Sequence, residues 1–266
     1  MGNTCTSESS ARGWQLPPAP APATEFVNAK GSDVPKQYAL AARANPDLIH
    51  TMADTSTELS DLKKEALARQ YVLIVDKSTS MGWGDGAGKT RWDSARAAVE
   101  TMVLTIFEHD IDHTVPLYFF DRNVDFVGEL TSASQVQQAF REYSPGGSTN
   151  LDAALLEALG TYAGTKRPNY ELVPGTTFIV LLDGGADDES AVLRTIRHFA
   201  DPANGYIANH TQIAISLVQI GDDDVAERFL KTLDNTVDPD ICDTKKDDIL
   251  YQAGGIDKML YDAIFD

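Results

Sequence analysis

The chain has 266 residues and is strongly acidic: 22 Lys and Arg stand against 40 Asp and Glu, a formal net charge of −18. This length allows one domain of about 200 residues with a tail, and 42% hydrophobic residues is ordinary for a soluble globular protein. The negative field repels nucleic acid and anionic membrane surfaces and attracts cations and basic partners. We therefore exclude nucleic-acid binding.

Cysteine usage and hydropathy favour a cytoplasmic protein. Cys5 and Cys242 are the only cysteines, too few for a disulfide framework, which indicates a reducing compartment. No apolar run approaches the roughly 20 residues that a transmembrane helix needs. The N-terminus also lacks the basic-then-apolar layout of a secretory signal.

The first part of the chain reads as non-globular. Residues 1–24 contain few large apolar side chains and end in a proline-rich stretch, which predicts a disordered tail with an extended spacer. Residues 25–56 are mixed and interrupted by prolines, and we expect an irregular lead-in there. The folded domain is expected over residues 57–266.

A short motif at the N-terminus is typical of lipidation. Met1 to Thr6 fit the myristoylation pattern, with Gly2 as the acceptor. A palmitoyl chain on Cys5 would supply the second anchor, since one myristoyl chain gives only marginal binding. If the source is eukaryotic, we expect acylation at Gly2 and Cys5 and a position on the cytoplasmic face of a membrane. The alternative is a chance match, because the pattern is short.

Strand and helix patterns alternate from residue 57 onward. Short apolar runs are typical of strands buried on both faces, and apolar residues at helical spacing lie between them. The predicted elements, in chain order, are helix Thr57–Gln70, strand Tyr71–Val75, helix Arg91–Phe107, strands Val115–Phe120 and Val124–Val127, helices Ala133–Tyr143 and Leu151–Tyr162, strand Thr176–Leu182, helix Glu189–Ala200, strand Gln212–Ile220, helix Val225–Leu233, a short edge strand Asp240–Cys242 and helix Asp257–Phe265.

This alternation predicts an α/β fold. Strands joined through helices form right-handed crossovers, which give a doubly wound, Rossmann-like sheet with helices on both faces. The polar turn between Val115–Phe120 and Val124–Val127 predicts one hairpin. We therefore expect a mostly parallel sheet of six strands with one antiparallel edge strand.

Five oxygen-bearing side chains follow predicted strands or open a predicted helix: Asp76, Ser78, Ser80, Thr149 and Asp183. The first three form an Asp-x-Ser-x-Ser pattern after the first strand, the threonine follows a Gly-Gly turn, and the last aspartate follows the fourth strand. Ligands of open α/β sheets bind beyond the carboxyl ends of the strands, and hard oxygen donors suit Mg²⁺ or Mn²⁺ over Zn²⁺. Asp-x-Ser-x-Ser alone is more often a turn or helix cap; the other two residues favour a metal site.

These five residues, in this order and on these elements, resemble the metal-ion-dependent adhesion site of von Willebrand factor A domains. Met81, the helix start Arg91-Trp92-x-x-Ala95 and the segment Gly147–Leu151 also resemble the family. The resemblance covers roughly residues 57–266 and is to the intracellular, single-domain type. Leu182 departs from it, since the family often has Thr there.

The resemblance implies a fold, a cofactor and a kind of partner. It implies the von Willebrand factor A variant of the Rossmann-like sheet, with Ser78, Ser80 and Thr149 coordinating Mg²⁺ (or Mn²⁺) directly or through water. Asp76 and Asp183 would act partly through bridging waters. A carboxylate from a partner protein would fill the open coordination position. We therefore expect a divalent-metal-dependent protein-binding module that is not an enzyme.

Other functions fit the sequence less well. A magnesium-dependent phosphatase of the haloacid dehalogenase type would use Asp76 as nucleophile and Asp187-Asp188 with the metal, but those enzymes need a second Asp where Ser78 stands. Gly88-Lys89-Thr90 resembles the end of a nucleotide-binding loop, yet the glycine required at position 83 is Trp83. A scaffold with a degenerate, metal-free site is the third alternative, and the intact ligand set argues against it.

Overall fold

A computed structural model describes residues 63–86, 88–166 and 174–265 of the chain. The predicted tail 1–24, the lead-in 25–56, the start of the first predicted helix, and the acylation candidates Gly2 and Cys5 lie outside these ranges. Residues 63–67 are helical, and the chain is already extended at Gln70, so the first predicted helix ends earlier than its sequence pattern indicated.

Six strands form one sheet: β1 (Gln70–Asp76), β2 (Val115–Phe120), β3 (Val124–Leu130), β4 (Thr176–Leu182), β5 (Ile213–Gln219) and β6 (Cys242–Lys246). Their spatial order is β3-β2-β1-β4-β5-β6. All neighbours are parallel except β2 and β3, which form the hairpin at one edge. The predicted parallel sheet with one antiparallel edge strand is confirmed.

Besides the helical residues 63–67, the described part of the chain has six helices that cover the two faces of the sheet: α1 (Arg91–His109), α2 (Ala133–Glu142), α3 (Leu151–Lys166), α4 (Glu189–Ala200), α5 (Asp224–Thr236) and α6 (Gly255–Phe265). One buried apolar cluster joins α1, α2 and α6 to one face. A second cluster joins α3, α4 and α5 to the other face. Every residue of β4 and β5 is buried, as expected for central strands covered by helices on both sides.

Side chains at the helix starts fix where the helices begin. Thr90 and Asp93 form a reciprocal capping box at the start of α1. The carboxylate of Asp223 accepts the N–H groups of Val225 and Ala226 at 2.8 and 2.9 Å, and so caps α5. Three acidic residues, at positions 222–224, stand at the start of α5, and the middle one caps this helix.

The last strand differs from its prediction. We expected Asp240–Cys242, whereas the strand is β6, Cys242–Lys246. Its sequence, Cys-Asp-Thr-Lys-Lys, is mostly polar, and pairing with β5 places it in the sheet. Among the described residues, no helix combines the length and the apolar composition needed to cross a membrane.

Candidate functional site

The predicted site residues lie at the carboxyl edge of the sheet, where the strand order reverses. From β1 the chain passes to β2 on one side and later returns to β4 on the other side of β1. Asp76 ends β1 and Asp183 directly follows β4. Such a switch point opens a crevice between two neighbouring loops, which is where open α/β sheets bind ligands.

The carboxylate of Asp76 is fully buried, and only one of its two oxygens accepts a hydrogen bond from the described residues. Its Oδ1 accepts the N–H of Ser78 at 2.6 Å, whereas Oδ2 is buried and has no hydrogen-bond partner in the part of the chain that the structure describes. Burial raises the pKa of Asp76 to about 7; the Ser78 N–H opposes this rise and the negative charge of Asp183 adds to it. A buried carboxylate oxygen without a donor is costly, so this position favours a proton or a cation.

A chain of hydrogen bonds joins the two loops across the switch point. The hydroxyls of Ser78 and Ser80 are 3.1 Å apart. Ser80 Oγ donates to Asp183 Oδ1 at 2.9 Å, and Arg91 Nη1 donates to Asp183 Oδ2 at 2.7 Å. Two hydroxyls and two carboxylates predicted from the sequence are therefore neighbours, and Arg91 is a cation beside them.

Thr149 reaches the same edge through its backbone. Its N–H donates to Asp187 Oδ1 at 3.1 Å, and its carbonyl accepts the Asp187 N–H at 2.9 Å. Two residues earlier, the Gly147 carbonyl accepts the backbone N–H and the hydroxyl of Thr79 at 3.1 and 2.9 Å. The Thr149 loop is thus bonded to the loops that follow both β1 and β4, although in the described part of the chain the Thr149 hydroxyl forms no hydrogen bond with the other four side chains.

A buried ion pair supports this loop and was missed by the sequence reasoning. Lys77 Nζ lies 2.5 Å from Asp121 Oδ2 and 3.3 Å from Asp125 Oδ2. Asp76 pairs with Phe120 in the parallel register of β1 and β2, so Lys77 and Asp121 are the next residues on two neighbouring strands. The sequence alone could have predicted this ion pair only if the neighbouring positions of β1 and β2 in the sheet had been known.

Gly147, within the Thr149 loop, lies close against Asp121 of this ion pair. Its φ is +84°, and an added Cβ would lie 3.0 Å from Asp121 Cγ. Left-handed backbone costs a residue with a side chain about 1–2 kcal/mol. We expect Gly147→Ala to lower the free energy of unfolding by roughly 1–3 kcal/mol in urea titrations, since contact with Asp121 adds to the strain.

Gly146→Ala is the matched control for this substitution. An added Cβ at Gly146 has no neighbour within 4 Å, and its N–H bond to the Lys77 carbonyl remains after the change. Equal urea midpoints for the two variants would contradict the strain argument.

Groups required by the competing functions have other contacts. The Thr90 hydroxyl donates to Asp93 at 2.7 Å, so the residue that ends the nucleotide-loop-like segment forms part of the α1 cap. Asp187 accepts the Thr149 N–H, and Asp188 Oδ1 accepts the N–H of Ala191 at 2.9 Å. Among the described residues, no group of three or more His, Cys, Asp and Glu side chains has a metal-binding arrangement. A cation at this site would therefore need hydroxyl ligands.

Comparison with known proteins identifies the fold. Residues 71–174 match the family model of the von Willebrand factor type A domain. The VWA domain of SpRpn10 superposes with a TM-score of 0.50 at 12% identity, covering 73% of this chain and 94% of that one. BatB, a conserved hypothetical protein from Bacteroides thetaiotaomicron, gives 0.51 at 14% identity over 74% and 97%.

A pilus protein shares the same fold over part of its length. The PilB minor pilin from Streptococcus sanguinis has a TM-score of 0.51 and 11% identity, with 73% of this chain and 59% of that one covered. No curated protein matches the chain. Identities this low show the fold alone, and that fold is the predicted doubly wound sheet of the von Willebrand factor A type.

Proposed function

We propose that the chain is a protein-binding module that holds one Mg²⁺ or Mn²⁺ at the carboxyl edge of its sheet and uses it to capture a carboxylate of a partner. The observation that carries this proposal is the buried Oδ2 of Asp76, which has no hydrogen-bond partner within residues 63–86, 88–166 and 174–265. A cation would neutralise both this carboxylate and Asp183, which is also fully buried. The negative charge of Asp183 still raises the pKa of Asp76 although Arg91 is paired with Asp183, so a cation bound by both carboxylates would relieve their repulsion.

The donor set fits a hard divalent cation. Ser78, Ser80 and Thr149 would supply neutral hydroxyls, with Asp76 and Asp183 as the anionic partners; such all-oxygen sets suit Mg²⁺ and Mn²⁺. A first shell rich in neutral ligands leaves the cation enough positive charge to attract a further anion. Ser80 and Thr149 are only partly buried, which leaves an approach for a partner side chain.

Charge supports a role for the cation in partner binding. With a net charge of −18, the chain as a whole repels an acidic partner. A divalent cation would create a local positive centre on this negative surface, so capture of a carboxylate would depend on it. We propose binding rather than catalysis because Ser78 stands where a phosphatase of the haloacid dehalogenase type needs its second Asp as general acid.

Manganese provides a direct test. We expect Mn²⁺ bound to the wild-type protein to enhance water-proton relaxation, because the proposed open position holds an exchangeable water. A short peptide containing Glu should reduce this enhancement, and the same peptide with Gln should not. Replacing both serines (Ser78→Ala with Ser80→Ala) should weaken Mn²⁺ binding about tenfold to a hundredfold.

Thr101→Ala is the matched control, since this hydroxyl is exposed on α1 and donates only to the Ala97 carbonyl of its own helix. It should bind Mn²⁺ like the wild type. Absence of relaxation enhancement in the wild type, or equal responses to the Glu and Gln peptides, would refute the proposed function.

A further inference from the structure

Asp183 forms an ion pair with the side chain of Arg91. Its two carboxylate oxygens have different donors: the Ser80 hydroxyl binds Oδ1 at 2.9 Å, and Arg91 Nη1 binds Oδ2 at 2.7 Å. Asp183 has no exposed side-chain surface, and the Arg91 side chain is 18% exposed. Charge-assisted pairs with this geometry are among the stronger hydrogen bonds in proteins.

The position of Arg91 is set by its surroundings. Its backbone N–H donates to the Trp83 carbonyl at 2.9 Å, and it is the first residue of α1 after the Thr90 cap. An added Cβ on Gly221 would lie 3.5 Å from Arg91 Nε, so the side chain passes close over that glycine. The guanidinium carbon lies 6.0 Å from the centre of the Trp83 ring.

The two buried carboxylates are compensated unequally. Asp183 has a full positive charge at 2.7 Å, whereas Asp76 has only the neutral donors of Ser78, and among the described residues its buried Oδ2 has no hydrogen-bond partner. A cation held by both would bring two further positive charges close to the guanidinium. Like charges at such separations repel strongly in a partly buried site, so the arginine and the metal cannot both be accommodated without a cost.

We propose that Arg91 is the built-in counter-cation of Asp183 in the metal-free protein, and that a divalent cation must displace it. This inference rests on the proposed metal binding and specifies how that binding is regulated. Arg91 stabilises the metal-free site and lowers its affinity for metal. The site therefore binds the divalent cation only at a higher metal concentration than it would without this ion pair. The opposite role, in which Arg91 orients Asp183 toward the metal, predicts the opposite effect on affinity.

Calorimetric Mg²⁺ titrations and thermal unfolding in EDTA distinguish these roles. We expect Arg91→Gln to bind Mg²⁺ about tenfold more tightly than the wild type, because a nearby positive charge is removed. The same variant should unfold at a lower temperature in EDTA, since Asp183 loses its partner. Arg91→Lys keeps the charge and should stay closer to the wild type in affinity. Lys89→Gln, which removes an exposed charge two residues away, should leave the affinity unchanged.

A measurement on the wild-type protein does not depend on how the variants fold. The ¹⁵N–¹H signal of Arg91 Nε, assigned by its absence in Arg91→Lys, should shift as Mg²⁺ is added and should exchange faster with water. Mg²⁺ binding that leaves this signal unchanged, or an Arg91→Gln protein that binds Mg²⁺ equally or more weakly, would overturn the displacement. If no protein in the series binds Mg²⁺, the proposed function fails and the displacement fails with it.

Discussion

Replacing Asp76 with asparagine is expected to abolish Mg²⁺ binding while leaving the fold intact. The substitution keeps an oxygen for the Ser78 N–H and removes the negative charge from a fully buried position. Loss of one charge next to a divalent cation in a partly desolvated site should weaken affinity on the order of a hundredfold or more. Calorimetric titration with Mg²⁺ measures this directly.

The same variant should be more stable than the wild type when no metal is present. The pKa of Asp76 rises from its ordinary 3.8 to about 7 in the folded protein, so the folded state holds a proton that the unfolded chain has lost. The metal-free wild type therefore loses stability as pH rises from about 4 to about 7 and stays lower above that. Asp76→Asn removes this loss and should gain up to about 4 kcal/mol near pH 8 in EDTA, since a change of one pKa unit corresponds to about 1.4 kcal/mol.

Adding Mg²⁺ should make the wild type more stable than Asp76→Asn, which is the reverse of their order in EDTA. It should raise the melting temperature of the wild type, because a ligand that binds only the folded state stabilises it by mass action, and it should leave Asp76→Asn unmoved. Asp224→Asn is the control, since it removes an exposed acid from the start of α5. Equal Mg²⁺ binding by wild type and Asp76→Asn would eliminate Asp76 as a ligand.

Elements whose own sequence determines their structure were predicted well, and elements placed by contacts with distant residues were not. The run Thr176–Leu182 predicted β4 with its observed ends, because a central strand covered on both faces must be apolar throughout. β6 was misplaced, since its polar sequence contains little strand signal and its position is set by pairing with β5. Helix starts were well placed where a cap was present, as at Thr90.

The candidate site was predictable only as far as strand order allows. That Asp76 and Asp183 follow strands could be inferred from the apolar runs before them, and the reversal of strand order brings the two loops together. The cations beside them could not be inferred. Arg91 is far from Asp183 in sequence, and only their 2.7 Å contact connects them. Lys77 stands at a variable position of the Asp-x-Ser-x-Ser pattern, so the motif assigned it no role.

Replacing Lys77 with methionine should cause a large loss of stability. Its side chain is 9% exposed and that of its partner Asp121 is 13% exposed, at a separation of 2.5 Å. Removal of one member of a buried pair leaves the other charge uncompensated, which costs about 3–5 kcal/mol in buried pairs. We expect the lower end, near 3 kcal/mol, because Asp121 Oδ1 still accepts the Asn123 N–H at 2.7 Å.

Burial, rather than distance, should decide the size of this effect, and a second pair in the chain tests that. Lys231 lies 2.6 Å from Glu227 on the surface of α5, and the two side chains are 60% and 30% exposed. Exposed ion pairs contribute about 0.2–1 kcal/mol. Lys231→Met should therefore change the urea midpoint little. Adding Asp121→Asn to Lys77→Met should recover part of the loss, since the stranded charge is then removed. Similar losses for Lys77→Met and Lys231→Met, or no recovery in the double variant, would show that Lys77–Asp121 is not the buried support of the Thr149 loop.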